Sequence, residues 1–375
     1  MNSRERVIRT IERTNPDRIP VDIWASYPFL VKLLKYFGYG EAAVHPHLDK
    51  EGVMDKIYDS LGIDLRTTMV EPPEEFRKRA VFDPRFHFPW GIKIGEDTLV
   101  DEWGVVRQLN VTKTQSRIIK YPLRDTPLEE YTFPDPYAPD RFTTVEKQIK
   151  TWGGKYAIIG YPGGDPFFSQ AWYLLGFNET ISKMYRDPHY IRKLFDKLLW
   201  FFTEICKQLI EKGVDMIMIA DDVGAQTGMI LPPKLWRELV KPYLRELVRQ
   251  IRKRGVYVIY HSDGYIEPII PDLIEIGVQI LNPIQPECMN PAEIKKKYGD
   301  KLTLYGTISI QKTLPYGTVE DVENEVKHRI ATCGYDGGLI ISPSNQVLVD
   351  TKIENFLAIY EAVKKYGRFP IKIAS

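Results

Sequence analysis

Short apolar runs recur along the chain, and most of them are followed by a segment with helical periodicity. Runs of this length, bounded by polar or turn residues, are typical of strands buried on both faces. They cover residues 19–24, 63–68, 156–160, 216–220, 256–260, 278–281, 302–305 and 339–341.

The segments between these runs place apolar residues at helical spacing. The clearest cover residues 180–212, 232–254, 266–276, 291–298, 318–332 and 353–365. Strands that alternate with helices indicate parallel βαβ units, and eight such units predict a closed (β/α)8 TIM barrel of the α/β class. Several predicted helices also end at a glycine that leads into the next strand, as a left-handed cap would.

Residues 70–150 interrupt this alternation and are rich in proline and aromatic residues. Within them, residues 98–111 alternate around the letters DEWG in the manner of a hairpin. We therefore predict a single domain over residues 1–375, with an insertion after strand two that folds over the barrel mouth. The insertion is expected to be either a lid or a surface for a homodimer.

The overall charge is close to balanced, with 51 Lys and Arg residues against 50 Asp and Glu residues. No basic field attracts nucleic acid or an acidic membrane, and no apolar run is long enough to cross a bilayer. The chain has 3 cysteines, too few for a disulfide framework, and its N-terminus does not resemble a signal peptide. These features predict a soluble cytoplasmic protein with no nucleic-acid or membrane partner.

The run at residues 256–260 leads directly into His261, Ser262, Asp263 and Gly264. In a parallel barrel, ligands bind at the carboxyl ends of the strands, because the strand-to-helix loops gather there. His261 and Asp263 are therefore candidates for a site. The alternative is a core histidine followed by a turn in which Asp263 caps the next helix.

Other strand ends supply further polar groups. Asp221 and Asp222 follow strand four side by side, so only one of them is expected to enter the barrel mouth. The remaining candidates are Asp64 on strand two, Tyr161 on strand three, Gln285 and Glu287 after strand six, Tyr305 on strand seven and Asn345 after strand eight. Burying so many polar groups is costly unless they meet one another, a metal or a substrate.

With these residues in place, the chain resembles the uroporphyrinogen decarboxylase superfamily, which includes corrinoid-dependent methyltransferases. The resemblance runs through RERVIRTIERTNPDRIPVDIW, DEWG, DDVGAQTGMILPPKLWRELVKPYLRELV, YHSDG, LNPIQPE, LYGTISIQ and GGLIISPSNQV. It implies the same barrel, with its site at the strand carboxyl ends.

The two branches of the superfamily imply different chemistry. The decarboxylases have an arginine-rich segment for the porphyrinogen carboxylates, whereas the matching stretch here, DIWASYPFLVKLLKYFG, has no arginine. By resemblance, Asp64 corresponds to the aspartate that holds the pyrrole N–H groups. This branch needs no metal or cofactor.

The methyltransferase branch uses zinc bound by a His-x-Cys pair, a Glu and a second Cys. The chain has His261 and Glu287 at matching positions, but Asp263 and Asn345 where the sulfur ligands are expected. The implied metal ligands are therefore His261, Asp263 and Glu287, a set suited to loosely held Zn²⁺, to Mn²⁺ or to Fe²⁺. The site could instead bind a polar substrate without metal.

The leading hypothesis is methyl transfer in a corrinoid- or thiol-linked one-carbon pathway, with corrinoid supplied by a partner protein. The catalytic residues would be Asp64, His261 and Asp222, and the substrate would contact Tyr161, Asp221, Gln285, Tyr305 and Asn345. The alternative is a lyase that decarboxylates a tetrapyrrole or another carboxylate substrate. A third hypothesis is a barrel that binds a ligand without chemistry.

Overall fold

The computed structural model describes residues 1–40, 52–113 and 115–371. Its strands are β1 (Leu65–Met69), β2 (Val81–Phe82), β3 (Trp90–Gly95), β4 (Thr98–Val100), β5 (Val106–Leu109), β6 (Ser116–Lys120), β7 (Ala157–Tyr161), β8 (Met216–Ala220), β9 (Tyr257–His261), β10 (Ile280–Asn282), β11 (Thr303–Tyr305) and β12 (Leu339–Ile340).

Its helices are α1 (Ser3–Glu12), α2 (Tyr27–Tyr36), α3 (Val53–Leu61), α4 (Glu74–Arg77), α5 (Pro122–Asp125), α6 (Thr143–Trp152), α7 (Phe168–Leu175), α8 (Phe177–Arg186), α9 (Pro188–Lys212), α10 (Pro233–Leu239), α11 (Lys241–Arg252), α12 (Ile270–Ile276), α13 (Pro291–Tyr298), α14 (Thr313–Tyr316), α15 (Val319–Cys333) and α16 (Ile353–Tyr366). None of these described helices is both long and apolar enough to span a bilayer.

Seven of the strands form one parallel sheet in the order β1-β7-β8-β9-β10-β11-β12. The segment around Val21 closes the sheet into a barrel: Val21 forms a parallel bridge with Ile341 beside β12, and its carbonyl accepts a hydrogen bond from the Asp64 amide beside β1 at 2.9 Å. The predicted α/β barrel is therefore confirmed. The first predicted strand, residues 19–24, forms this isolated bridge and no regular ladder in the described chain.

Two apolar layers hold the barrel together. The larger layer lies between the strands and the outer helices, and the smaller one fills the barrel interior with one or two side chains from each strand. Val7 and Ile11 of α1 belong to the interior layer, so α1 closes the amino end of the barrel. The carboxyl end, where the polar loops lie, is therefore the end at which we expect a ligand to bind.

Asp64 lies at this closed amino end, immediately before β1. Its buried carboxylate accepts hydrogen bonds from Arg6 at 2.7 Å, from Arg18 at 2.7 and 3.0 Å, and from the Val21 amide at 2.9 Å. The placement of Asp64 at the strand's carboxyl end was therefore wrong. The apolar run at residues 63–68 did not show that the strand begins after Asp64, at Leu65.

Between β1 and β7 the chain forms a five-stranded antiparallel sheet, β2-β3-β4-β5-β6. Strands β4 and β5 pair as a hairpin around the DEWG turn. The guanidinium of Arg107 on β5 lies 5.0 Å from the Phe88 ring centroid and 4.9 Å from that of Tyr173 on α7. This stacking joins the antiparallel sheet to the barrel loops. That the sheet acts as a lid or as a dimer surface stays a prediction.

Candidate functional site at the barrel mouth

Strands β8 and β9 end side by side and bring three ligand-type side chains together. Among the residues that the structure describes, Asp222, His261 and Asp263 each offer one nitrogen or oxygen atom, and these atoms lie within 4.8 Å of one another. We call these three residues the imidazole–carboxylate cluster. Nε2 of His261 lies 3.9 Å from a carboxylate oxygen of Asp222 and 3.9 Å from one of Asp263. The register explains this proximity, because Ala220 of β8 lies beside His261 of β9.

The imidazole of His261 is held on its edge and on its face. Its Nδ1 lies 2.6 Å from Oδ1 of Asn282, which makes Nδ1 the protonated nitrogen of the neutral ring. The indole of Trp24 stacks on the ring with centroids 5.3 Å apart and planes 11° apart. Burial would lower the pKa of His261, but the carboxylates of Asp263 and Asp222 outweigh burial and raise this pKa.

The two carboxylates have different environments. Oδ2 of Asp263 accepts a hydrogen bond from the Asn345 amide, whereas its Oδ1 is buried and has no hydrogen-bond partner within the described chain. Burial raises the pKa of Asp263, although nearby His261 opposes the shift. Asp222 is half exposed and accepts a hydrogen bond from the Asp263 amide at 2.9 Å.

Asp221 faces away from this cluster, although it is the immediate neighbour of Asp222. Its carboxylate accepts hydrogen bonds from the amides of Phe168 at 3.3 Å and Ser169 at 2.7 Å, at the start of α7. Burial raises the pKa of Asp221 well above its ordinary range. Only one of the two aspartates thus enters the mouth, as the alternation of a strand requires.

A second polar group surrounds Asp165 in the loop after β7. This carboxylate accepts hydrogen bonds from the hydroxyls of Tyr161 and Tyr173, the latter at 2.8 Å, and lies 3.3 Å from Nε2 of His87. Burial alone would raise the pKa of Asp165, but these contacts, led by His87, lower it. Tyr161 therefore lies at the strand end as predicted, with its hydroxyl committed to Asp165.

Glu287 is not part of the imidazole–carboxylate cluster. One of its oxygens accepts a hydrogen bond from the Ser309 hydroxyl, and the other is buried with no hydrogen-bond partner in the described ranges. Gln285 accepts a hydrogen bond from the Gly264 amide at 3.1 Å, which shapes the loop after β9. Of the three predicted metal ligands, the structure thus brings together His261 and Asp263, with Asp222 in the third place.

Tyr305 contacts protein groups rather than open space. Its buried hydroxyl donates a hydrogen bond to Asp22 and accepts one from the indole N–H of Trp24 at 3.1 Å. Burial raises the pKa of Asp22 to about 6, although the Tyr305 hydrogen bond opposes the shift. Sequence reasoning missed Asp22 and Trp24, and the available signal was their position in DIW, at the end of the first apolar run.

A pocket of about 640 Å³ lies between the barrel and the antiparallel sheet, and Asp222, His261 and Asp263 are not among the residues that line it. It is lined in part by His87, which contacts Asp165, by Gln346, the neighbour of Asn345, and by Glu71. Glu71, rather than Asp64, is the carboxylate at the carboxyl end of β1. It is paired with Arg77 at 2.5 Å. Sequence reasoning missed Glu71 because VEPPEEF was assigned to the insertion.

The model of the family described as uroporphyrinogen decarboxylase (URO-D) matches residues 107–366, which is more than half of the chain. The chain belongs to this family. The predicted resemblance is therefore confirmed, and the matched region includes every residue of the imidazole–carboxylate cluster.

Relatives of both kinds occur within this family of enzymes. A methylcobamide:CoM methyltransferase, MtaA of Methanosarcina barkeri, is 26% identical over 178 residues, 46% of this chain and 49% of the relative. The uroporphyrinogen decarboxylase of Actinobacillus succinogenes is 23% identical over 255 residues, 64% of this chain and 68% of the relative. The chain thus spans about half of the first protein and two thirds of the second.

A solved structure described as a methyltransferase from Methanosarcina mazei has the same fold. It superposes with a TM-score of 0.70 and covers 98% of this chain and 99% of its own, at 17% sequence identity. The two chains therefore share the barrel fold.

Proposed function

We propose that this family member is a methyltransferase that moves a methyl group between a small thiol or hydroxyl compound and a corrinoid carried by a partner protein. The observation that carries the proposal is the convergence of Asp222, His261 and Asp263 at the open end of the barrel. The likeness to a methylcobamide:CoM methyltransferase supports the corrinoid and the thiol.

The donor atoms of this cluster lie within 4.8 Å of one another, so small side-chain movements would let them hold a divalent ion. Two ligands about 2.1 Å from one ion stand at most about 4.2 Å apart, and both imidazole–carboxylate distances, at 3.9 Å, meet this limit. The Asn282 contact at Nδ1 leaves the Nε2 lone pair free for a ligand, an arrangement typical of metal-binding histidines. The buried Oδ1 of Asp263 also has no partner in the described chain.

The donor set favours Zn²⁺ in a loosely held site, Mn²⁺ or Fe²⁺, since it contains one nitrogen, carboxylate oxygens and no sulfur. A bound divalent ion would act as a Lewis acid that lowers the pKa of a thiol or hydroxyl in contact with it. The chain's own contribution is orientation and charge. Asn282 and Trp24 hold the imidazole, while Asn345 holds one oxygen of Asp263 and leaves the other for the ion or for a substrate proton.

Two carboxylates give the cluster a negative charge when no divalent ion is bound. Within the described ranges, Asp222 and Asp263 form no ion pair with lysine or arginine, and each lies 3.9 Å from Nε2 of His261. Without a bound ion these carboxylates would repel an anionic substrate, whereas a bound divalent ion would offset their charge. Decarboxylation of a tetrapyrrole is therefore the alternative function, and the assays below test it directly.

The test combines metal analysis with two assays on the same preparation. We expect about one divalent ion per chain in protein purified without chelator, and loss of the methyl group from methylcobalamin when a thiol such as coenzyme M is added. His261→Ala should abolish both, whereas the control His328→Ala, at an exposed position on α15, should leave both unchanged. Conversion of uroporphyrinogen with no demethylation of methylcobalamin would overturn the proposal in favour of decarboxylation.

A further inference from the structure

We infer that Tyr305 and Asp22 form a positioning pair which, through Trp24, sets the orientation of the His261 ring. Neither Tyr305 nor Asp22 touches the imidazole. The inference rests on the proposed function only for its consequence in metal binding, since the orientation of the ring can be measured without a metal.

The hydrogen bonds give the chain of contacts a direction. The carboxylate of Asp22 accepts the phenolic hydrogen of Tyr305. The phenolic oxygen is thereby left to accept the indole N–H of Trp24, at 3.1 Å. The indole N–H can only donate, and a hydroxyl has a single hydrogen, so Asp22 takes the phenolic hydrogen and leaves the lone pairs of the Tyr305 oxygen for Trp24.

Trp24 transmits this constraint to the imidazole. Its indole plane lies 11° from the plane of the His261 ring, so rotation of the indole would remove the stacking surface from one face of the ring. The phenolic oxygen of Tyr305 opposes such rotation by holding the indole nitrogen. The orientation of both rings therefore depends on the buried hydroxyl of Tyr305, which contacts the indole directly and the imidazole only through the indole.

Tyr305 also supports the other contact of the imidazole. Its backbone carbonyl accepts a hydrogen bond from Nδ2 of Asn282 at 3.4 Å, and Oδ1 of Asn282 is the partner of His261 Nδ1. The edge and the face of the imidazole are therefore both held by groups that are bound to Tyr305. Replacement of the side chain alone removes the face contact and leaves the edge contact in place.

Tyr360 offers a matched control. Its hydroxyl donates to the backbone carbonyl of Asp22 at 3.3 Å and is as buried as that of Tyr305. Within the described part of the chain, Tyr360 forms no hydrogen bond or ring contact with Trp24 or with the imidazole. Tyr305→Phe and Tyr360→Phe each remove one buried hydroxyl near Asp22, and only Tyr305→Phe breaks the contact with the indole.

The experiment compares the two variants in ¹⁵N-histidine-labelled, metal-free protein, with the His261 signals assigned from His261→Gln. We expect Tyr305→Phe to change the ¹⁵N shifts of His261, and Tyr360→Phe to leave them as in the wild type. Zn²⁺ affinity, measured by competition with a chromophoric chelator, should fall about 10-fold in Tyr305→Phe alone, the lower range for loss of outer-shell support.

Two results would overturn the inference. One is equal His261 spectra in the wild type and Tyr305→Phe. The other is an equal change in both tyrosine variants, since a general loss of packing would produce it. If the wild type binds no Zn²⁺, the metal site of the proposed function fails, and the metal-free spectra still decide whether Tyr305 positions the ring.

Discussion

Asp221 and Asp222 are adjacent in the chain, but Asp221 binds the start of α7 and Asp222 belongs to the imidazole–carboxylate cluster. Replacing each in turn with leucine should distinguish the structural role of the first from the ligand role of the second. Asp221→Leu removes the acceptor for two amides at the start of α7. Each buried donor left without a partner costs about 1–3 kcal/mol, so the expected loss in the free energy of unfolding is roughly 2–6 kcal/mol. Asp221→Asn keeps an acceptor oxygen and should lose about 1 kcal/mol.

Asp222→Leu should behave in the opposite way. The side chain is half exposed, and the amide of Asp263 that it accepts can bond to water instead, so the stability loss should stay at or below about 1 kcal/mol. Metal affinity and methyl transfer should nevertheless be lost. Urea unfolding with a common m-value measures the first effect, and chelator competition measures the second. Equal stability losses in the two leucine variants would refute this division of roles.

Three further outcomes are expected. Asp263→Cys combined with Asn345→Cys should tighten Zn²⁺ binding, since two thiolates replace harder donors, as seen by chelator competition; unchanged affinity would show that these side chains do not reach the ion. Asp64→Asn should lower the free energy of unfolding measured in urea by about 3 kcal/mol, the lower end for a broken buried ion pair, because Arg6 and Arg18 both lose Asp64 while Arg6 keeps Asp17; Zn²⁺ affinity should be retained. Burial raises the pKa of Asp22 from 3.8 to about 6, so between about pH 4 and pH 6 the folded state binds more protons than the unfolded state and stability falls as pH rises. Asp22→Asn should remove this fall, measured as melting temperature against pH, and a pH profile equal to that of the wild type would contradict the prediction.

Much of the barrel could be predicted from the chain alone. Buried parallel strands read as continuous apolar runs, and the runs at β7, β8 and β9 matched the observed strands within one residue at either end. The antiparallel sheet was less clear. Its strands are short and half exposed, so their pattern depends on pairing and on packing against the barrel more than on local preference.

The types of side chain at the site could be predicted from the sequence, but not which carboxylates belong to it. Periodicity placed His261 and Asp263 after the same strand, and alternation required that only one of Asp221 and Asp222 enter the mouth. It could not place Glu287, whose loop turns towards Ser309. Periodicity also could not distinguish the amino end of β1 from its carboxyl end. Asp64 was therefore predicted at the carboxyl end, where the structure instead has Glu71.

The sequence by itself thus determined most of the parallel strands, the barrel and the histidine–aspartate pair, because local apolar spacing and the direction of parallel strands suffice for these. Only the tertiary structure decided which carboxylate completes the cluster and what holds the imidazole. Trp24 and Tyr305 are 281 residues apart along the chain, and they meet because the closing segment of the barrel returns to the last strands. Contacts of that range depend on the closure of the whole barrel, and no local pattern of residues encodes them.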